Sequence, residues 1–391
     1  MGRRPSIVLC LALLAATAGA TAATAAAPAP VEAAGTAPRQ SGARLAPGGT
    51  LVAWQERSGA DTRVVVYALD SNQVKRSFAI DRTMQLRSLR WADDDTLLAT
   101  VSSARPAADG TTGRTEYVRT LALDPATGTI RMLLMGDGLR SLVTGATLVA
   151  VHTAKPKTVI MATLDFDAAT QPLESGTARA AAAEDPGWVS TLFAVDTGSG
   201  KGVVLERGSP ATEQWLVDAA GHAVARGDFD RAGHRYTLRA RTANGWQELY
   251  RRTDGKGLEL CGLSRDGSAI VAIGEAAGRA KLLALPLDGA AARVLVEDPA
   301  RDVTGVLRDP ASDRLVGATV GGPDRTTRWL DADAEREAGV LARAFPGRTT
   351  ELIDRSGDGR KLLVRVAGTS TAPTYYLVDY ATHRADIVAE E

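Results

Sequence analysis

One short pattern recurs seven times along this chain of 391 residues, and it constrains the fold more than any other feature. Each copy is a turn, usually rich in Gly or Asp, followed directly by a run of apolar or alternating residues that is typical of a β-strand. Four of the six spacings between successive copies are 46 residues, which indicates a repeated structural unit. The last turn residues of the copies are Gly49, Asp95, Ala146, Gly221, Gly267, Asp313 and Gly359.

A second pattern lies between these copies and completes each repeat. It consists of an apolar run, a polar turn and another run, at residues 64–78, 118–133, 190–205, 280–296 and 374–388. Together with the segment before each turn, this makes four strands in each period. Repeats of roughly 40–50 residues with four strands each are typical of β-propeller blades. We therefore predict an all-β fold, a seven-bladed β-propeller of four-stranded blades over residues 44–391.

Two segments depart from the period. The longest spacing contains a stretch rich in Ala and acidic residues at 167–187, which predicts a surface loop inserted in the third blade. Residues 331–348 lack strand patterning, and their apolar residues, among them Leu341 and Phe345, lie at helical spacing. Asp331 precedes this run and is suited to cap it. The sequence predicts one short helix inserted in blade six.

The N-terminal segment has the features of an export signal. Arg3 and Arg4 precede a short apolar run that ends in small residues with Ala-x-Ala sites, so residues 1–27 are predicted to be a cleaved signal peptide. The apolar run is too short and too rich in Ala and Thr for a good membrane anchor. Residues 28–43 are predicted to be a flexible leader. We expect the mature protein in the periplasm or outside the cell, without a membrane anchor.

The composition argues against several classes of function. Lys plus Arg and Asp plus Glu both total 46, so no net charge favours a nucleic-acid partner. The two cysteines rule out a disulfide framework and a multi-cysteine metal site, and Cys10 would be lost with the signal peptide. The four histidines, His152, His222, His234 and His383, are expected on different blades and lack paired ligand spacing. We predict no cofactor, no metal ion and no nucleic-acid partner.

Two motifs resemble functional sites, one a catalytic nucleophile and the other a calcium-binding loop. For each motif a purely structural role is favoured. Residues 368–372, Gly-Thr-Ser-Thr-Ala, are close to a nucleophile elbow, but Pro373 and a strand-like run follow where such an elbow needs a helix. A hairpin loop is therefore favoured. Residues 354–359 match the opening of a calcium loop, but Arg365 stands where a bidentate Glu is usual. A blade turn is favoured there.

Other polar and aromatic residues are also given structural roles. The acidic run at 93–95 is interpreted as a tight polar turn rather than a cation site, and His222 and His383 are expected at exposed positions. The six tryptophans are expected to pack between neighbouring sheets, with a carbohydrate-stacking platform as the alternative. No residue is assigned a catalytic, cofactor-binding or metal-binding role.

The repeat phrases resemble those of a known family. Ser-x-Asp-Gly at 264–267 and 356–359 is similar to the PD40-type repeats of bacterial propellers. The segments 342–368, which begins with the end of the predicted helix, and 374–388 resemble the end of the N-terminal propeller of prolyl oligopeptidase family serine peptidases, in the branch of the dipeptidyl- and acylaminoacyl-peptidases. The resemblance covers about residues 44–391.

This resemblance implies a function without supplying catalytic residues. In that family the propeller covers the active site and limits access to short peptides, whereas Ser, Asp and His lie on a C-terminal α/β-hydrolase domain. This chain has no counterpart of that domain, so we expect an exported, substrate-gating propeller that is not catalytic by itself. Its partner would be a peptide or a protein, for example a hydrolase domain. Two alternatives stay open: a stand-alone scaffold propeller that binds a peptide or protein, and an enzyme that uses channel residues.

Overall fold

The computed structural model describes residues 6–8, 40–106, 114–134, 145–166, 188–253, 255–322, 325–368 and 371–391. A short strand comes first, β1 (Ser6–Val8). Blade one consists of β2 (Gln40–Leu45), β3 (Leu51–Ser58), β4 (Asp61–Ala68) and β5 (Gln73–Ile80). Blade two consists of β6 (Gln85–Asp93), β7 (Thr96–Pro106), β8 (Arg114–Leu123) and β9 (Ile130–Met132). Blade three consists of β10 (Ala146–Ala150), β11 (Thr158–Phe166), β12 (Trp188–Asp196) and β13 (Gly202–Arg207).

The second half of the chain continues in the same way. Blade four consists of β14 (Thr212–Val217), β15 (Ala223–Asp230), β16 (Arg235–Thr242) and β17 (Gly245–Thr253). Blade five consists of β18 (Glu259–Leu263), β19 (Ala269–Ala276), β20 (Arg279–Pro286) and β21 (Arg293–Val296). Blade six consists of β22 (Val303–Arg308), β23 (Leu315–Val320) and β24 (Thr326–Trp329), followed by α1 (Ala332–Ala344). Blade seven consists of β25 (Thr349–Arg355), β26 (Lys361–Ala367), β27 (Thr374–Asp379) and β28 (Arg384–Glu390).

Each blade is an antiparallel sheet whose strands pair in sequence order, and the seven sheets confirm the predicted seven-bladed propeller. Blade six has three described strands, and the helix follows the third, which confirms the predicted helix in this region. The strand β1 pairs with the outer strand β28 of blade seven. The first propeller strand begins at Gln40, a few residues before the boundary drawn from the sequence. Within the described ranges, no helix is both long and apolar enough to span a membrane.

One expected strand position was wrong. Ala146 was aligned as a turn residue before a second strand, but it begins β10, the first strand of blade three. The turn before the second strand ends instead at Lys157, whose φ of 52° corresponds to the positive φ of Gly49 and Gly267. The apolar runs of β10 and β11 look alike in sequence. The repeat spacing around blade three also departs from 46 residues, so this spacing could not show which of the two runs is the second strand. The segment 167–187 lies between β11 and β12, as predicted for an insertion in blade three, and is outside the described residues.

Apolar clusters between neighbouring blades form the core. Middle strands are buried on both faces because each sheet is covered by a blade on either side, and β19 is buried along most of its length. Buried clusters join blades one and two, two and three, three and four, four and five, and five and six. A further cluster closes the ring between blades seven and one. Trp54, Trp91 and Trp215 lie in these clusters, which confirms the expected packing between sheets for three of the six tryptophans.

The helix α1 packs against blade seven. The side chain of Asp331 caps its N-terminus by accepting hydrogen bonds of 3.0 Å from the backbone N–H groups of Asp333 and Ala334, as predicted. Leu341 is buried in the same cluster as strands of blade seven. At the other end, the ring of Phe345 lies 5.0 Å from that of Tyr376, measured between ring centres. The helix therefore covers the face of blade seven that looks towards blade six.

Candidate functional site

One position in the repeat places polar side chains at the centre of the ring. The first strand of each blade is followed by a turn that leads to the second strand, and the position lies five residues before the last residue of this turn. It is therefore near the end of the first strand. The side chain at this position is polar in five blades and not polar in two. From blade one to blade seven its occupants are Arg44, Arg90, His152, Leu216, Gly262, Arg308 and Asp354.

The five polar occupants line a single cavity of about 440 Å³. Blades one, two, three, six and seven all contribute to its wall. Because blades three and six are not neighbours, a cavity that they share must lie on the axis of the ring. Apolar surface lies beside the charges, contributed among others by Leu45, Pro47, Trp91 and Leu352. The cavity therefore combines charged groups with apolar walls at one mouth of the central channel, as ligand sites generally do.

An ion pair crosses the ring inside this cavity. Arg90 Nη2 of blade two lies 3.7 Å from Asp313 Oδ1 of blade six. Arg308 Nη1 lies 3.6 Å from the other oxygen of Asp313 and donates a 3.0 Å hydrogen bond to the backbone carbonyl of the same residue. Charge-assisted hydrogen bonds between arginine and carboxylate are usually 2.7–2.9 Å long. The two guanidinium groups therefore attract the carboxylate of Asp313 without forming close paired hydrogen bonds with it.

Asp354 occupies the equivalent position at the junction of blades seven and one. Its Oδ2 accepts a 3.0 Å hydrogen bond from the backbone N–H of Leu45, and its Oδ1 lies 3.9 Å from Arg44 Nη1. The side chain is 19% exposed. Loss of solvent raises the pKa of Asp354 to about 6, although Arg44, the Leu45 N–H and Arg90 all act to lower it. This carboxyl group therefore titrates close to neutral pH inside the cavity.

The single histidine in the cavity is His152, which is exposed to its interior. Partial desolvation lowers the pKa of His152, and the positive charge of Arg90 lowers it further, whereas Asp313 raises it. The net direction favours the neutral imidazole. His152 consequently offers a neutral hydrogen-bonding group rather than a positive charge at neutral pH.

A fourth arginine in the wall has a structural role. Arg355 Nε lies 3.3 Å from Asp309 Oδ2, and its Nη2 donates to Glu337 Oε2 on helix α1. These contacts connect blade seven, blade six and the helix. Arg355 is thus held by two acids that do not line the cavity, and it is less available to a ligand than Arg44 or Arg90.

The residues singled out as a calcium-like loop form a blade turn, which confirms the favoured interpretation. Ser356 Oγ donates a 2.6 Å hydrogen bond to Asp358 Oδ1 and accepts one of 3.0 Å from the backbone N–H of Lys361. The run 93–95 is also a turn, in which Asp93 Oδ1 accepts from the N–H of Asp95. In the parts of the chain that are described, no three His, Cys, Asp or Glu side chains are grouped closely enough to hold a metal ion.

The remaining motifs lie away from the cavity. His222, His234 and His383 are exposed, and His383 has the positive φ of a hairpin turn. This confirms the exposed positions expected for His222 and His383. The expectation that the four histidines lie on different blades was wrong, because His222 and His234 lie in the two turns on either side of β15 in blade four. Thr369 and Ser370, the centre of the sequence that is close to a nucleophile elbow, lie outside the described residues.

Sequence reasoning assigned no residue to a site, and it missed the polar ring. The signal was present in the repeat, because Arg44 and Arg90 are 46 residues apart, as are Arg308 and Asp354. Comparing side chains at equivalent positions before each turn would have found these four. His152 was hidden by the alignment of blade three on Ala146 instead of Lys157.

Comparisons with known proteins give similarity in structure but not in sequence. No family model matches the chain, and no curated protein matches it. A prolyl endopeptidase structure is 13% identical, with 90% of this chain and 50% of that chain covered and a TM-score of 0.49. A puromycin-hydrolysing peptidase of Mycobacterium tuberculosis is 14% identical over 90% of this chain and 53% of its own, with a TM-score of 0.47. A dihydro-haem d1 dehydrogenase is 15% identical, with 90% of this chain and 67% of that chain covered and a TM-score of 0.40. The chain spans about half the length of the two peptidases.

Proposed function

We propose that this chain is the substrate-gating β-propeller of a prolyl oligopeptidase-type serine peptidase and that its ligands are short peptides. The observation that carries the proposal is the cavity on the ring axis, to which the innermost strands or following turns of five blades contribute. The resemblance of residues 342–368 and 374–388 to the end of such propellers supports it. On this proposal the chain supplies no catalytic residue and acts after export and removal of residues 1–27.

The chemistry of the cavity suits a peptide. A volume of about 440 Å³ lies within the usual range for sites that enclose small ligands. Arg44, Arg90 and His152 offer hydrogen bonds and charge, while Trp91 and Leu352 offer apolar contact. A short peptide presents the complementary groups, because polar backbone and apolar side chains alternate along it. A folded protein would not fit into a cavity of this size.

Peptide binding tests the proposal directly. The fluorescence anisotropy of a dansylated tripeptide should rise on addition of the purified chain. Ala311→Trp places an indole in the cavity wall and should abolish this binding. Ala290→Trp introduces the same side chain at an exposed turn outside the cavity wall and should leave binding unchanged. Equal binding by the two variants, or no binding by the unmodified chain, would contradict a peptide site in the cavity.

A second measurement tests the assignment as a non-catalytic domain. A fluorophosphonate probe, which labels activated serine nucleophiles, should not react with the purified chain. Labelling that is abolished by Ser370→Ala would show that this chain has a working nucleophile and would refute the assignment.

A stand-alone scaffold propeller is the alternative. It is favoured by the fact that the cavity wall consists of propeller strands and turns, so peptide binding needs no second domain. The coding sequence beyond the codon for Glu391 separates the two proposals. A hydrolase reading frame there supports the gating domain, and unrelated sequence supports the scaffold.

A further inference from the structure

We propose that the cavity recognises the C-terminal carboxylate of its peptide ligand and binds it between Arg44 and Arg90. The inference rests on the proposed function, because it specifies which part of a peptide the cavity recognises.

Arg44 and Arg90 project into the cavity from adjacent blades. They occupy the same repeat position, near the ends of β2 and β6, and both line the cavity wall. The blades are in contact at this point, since the indole Nε1 of Trp91 donates a 3.1 Å hydrogen bond to the backbone carbonyl of Arg44. Both arginines also act to lower the pKa of Asp354. The two guanidinium groups therefore belong to one stretch of the cavity wall, at the junction of blades one and two.

The donors of these two arginines are not saturated. The shortest acid contacts recorded for them among the described residues are 3.9 Å for Arg44 with Asp354 and 3.7 Å for Arg90 with Asp313. The side chains of Arg44 and Arg90 are 34% and 44% exposed, so a ligand in the cavity can reach their guanidinium groups. A carboxylate can accept two parallel hydrogen bonds from one guanidinium group. A ligand carboxylate would supply acceptors for these donors.

The other two arginines of the wall are engaged by the protein itself. Arg308 donates to the backbone carbonyls of Asp313 and Cys261, and Arg355 is held by Asp309 and Glu337. This difference selects Arg44 and Arg90 as the residues that a ligand can recruit.

The charge balance favours a single negative charge. Four arginines and two aspartates, Asp313 and Asp354, line the cavity. Arg355 is paired with two acids that lie outside the cavity wall. Among the groups that line the wall, the other three arginines carry one positive charge more than the two aspartates. A monoanionic carboxylate matches this excess, whereas a dianion such as phosphate would leave a desolvated negative charge without a partner.

The apolar wall indicates where the rest of the peptide lies. Leu45 and Trp91 directly follow the two arginines in sequence, Pro47 lies three residues after Arg44, and all three line the same cavity. With the carboxylate between the guanidinium groups, the last side chain of the peptide can contact this surface. An apolar C-terminal residue is therefore the best ligand.

The experiment compares N-dansyl-Ala-Ala-Leu with a free carboxylate and the same peptide with a C-terminal amide, by fluorescence anisotropy at low ionic strength. A hydrogen bond to a charged group typically changes binding by about ten- to a hundredfold, so the acid should bind at least tenfold more tightly than the amide. Arg90→Gln should weaken binding of the acid by a similar factor and weaken binding of the amide, which carries no charge, much less. Arg44→Gln gives a second, independent test of the same expectation.

Arg82→Gln is the matched control, because Arg82 pairs with Asp61 on the exposed surface and does not line the cavity. It should leave both affinities unchanged, and circular dichroism confirms that each variant is folded. Equal binding of acid and amide by the unmodified chain would overturn the carboxylate site while leaving peptide binding intact. Binding of neither peptide would overturn the proposed function as well. A loss with Arg82→Gln equal to that with Arg90→Gln would show a general charge effect and would also overturn the site.

Discussion

Replacing Asp354 by Asn should stabilise the protein at neutral pH, although it removes a residue that accepts a hydrogen bond. The Asn side chain has the same shape, and its Oδ1 can accept the 3.0 Å hydrogen bond from the Leu45 N–H. What disappears is a negative charge on a side chain that is only 19% exposed. Burial of a charge costs more here than the surrounding positive groups recover, because the pKa of Asp354 is raised despite them.

The size of the effect follows from the pKa of Asp354. Its value is about 6 in the folded protein against 3.8 for an ordinary aspartate. With about 1.4 kcal/mol for each pH unit, the charged carboxylate costs about 3 kcal/mol at pH above 6. Because the folded state holds its proton more tightly, the free energy of unfolding contributed by Asp354 is highest below pH 4 and is lost as pH rises to 6. Asp354→Asn has no carboxyl group at this position, so its free energy of unfolding does not fall for this reason as the pH rises.

Urea denaturation across this pH range tests the reasoning. At pH 7.5 the free energy of unfolding of Asp354→Asn should exceed that of the unmodified protein by up to about 3 kcal/mol, and the difference should shrink towards pH 4. Asp266→Asn is the matched control, since hydrogen bonds from Ser264 and Ser268 lower the pKa of that exposed aspartate to about 2. It should not stabilise the protein at neutral pH. A loss of stability in Asp354→Asn at pH 7.5 would refute the argument, because it would show that attraction to Arg44 exceeds the cost of burial.

Two further substitutions test the helix and a turn. Asp331→Ala removes the N-cap of α1 and an ion pair of 2.8 Å with Arg314. The midpoint of urea unfolding should therefore fall by an amount equivalent to about 2 kcal/mol in the free energy of unfolding. Asp331→Asn keeps a capping oxygen and should recover part of this loss. Unchanged stability in Asp331→Ala would contradict a role for the cap. Gly200→Ala forces a side chain onto a residue with φ of 75° and brings its Cβ to 2.9 Å from a backbone carbonyl oxygen of blade two, which should cost about 2 kcal/mol. Gly289→Ala, with φ of 81° but open space around it, should cost less, and equal losses would show that the close approach does not matter.

The blades could be predicted from sequence because each one repeats the same local signals. A Gly or Asp turn with positive φ precedes the second strand in most blades, and the buried second and third strands are apolar along most of their length. Asp331 could be identified as a helix cap for a similarly local reason, since capping depends on groups within a few residues. Such features are determined by short segments that the sequence displays directly.

The cavity could not be predicted in the same way, because it depends on residues far apart in the chain. The contact of Arg90 with Asp313 joins blades two and six, and that of Arg44 with Asp354 joins the first and last blades. Each of these residues alone resembles a solvated charge on a strand or turn. Their proximity requires the ring to close, and the buried state of Asp354 depends on blade one covering it.

The polar ring position makes the channel asymmetric. The backbone repeats around the axis, so a ring with identical side chains would present seven equivalent orientations to anything that entered it. Arginine, histidine and aspartate occupy this position in five blades, whereas Leu216 and Gly262 occupy it in the adjacent blades four and five. The entrance therefore has one charged sector and one uncharged sector. A molecule that carries its charge at one end would therefore be attracted towards the charged sector. The side chains at this position distinguish one direction around the axis, which the repeated backbone by itself does not.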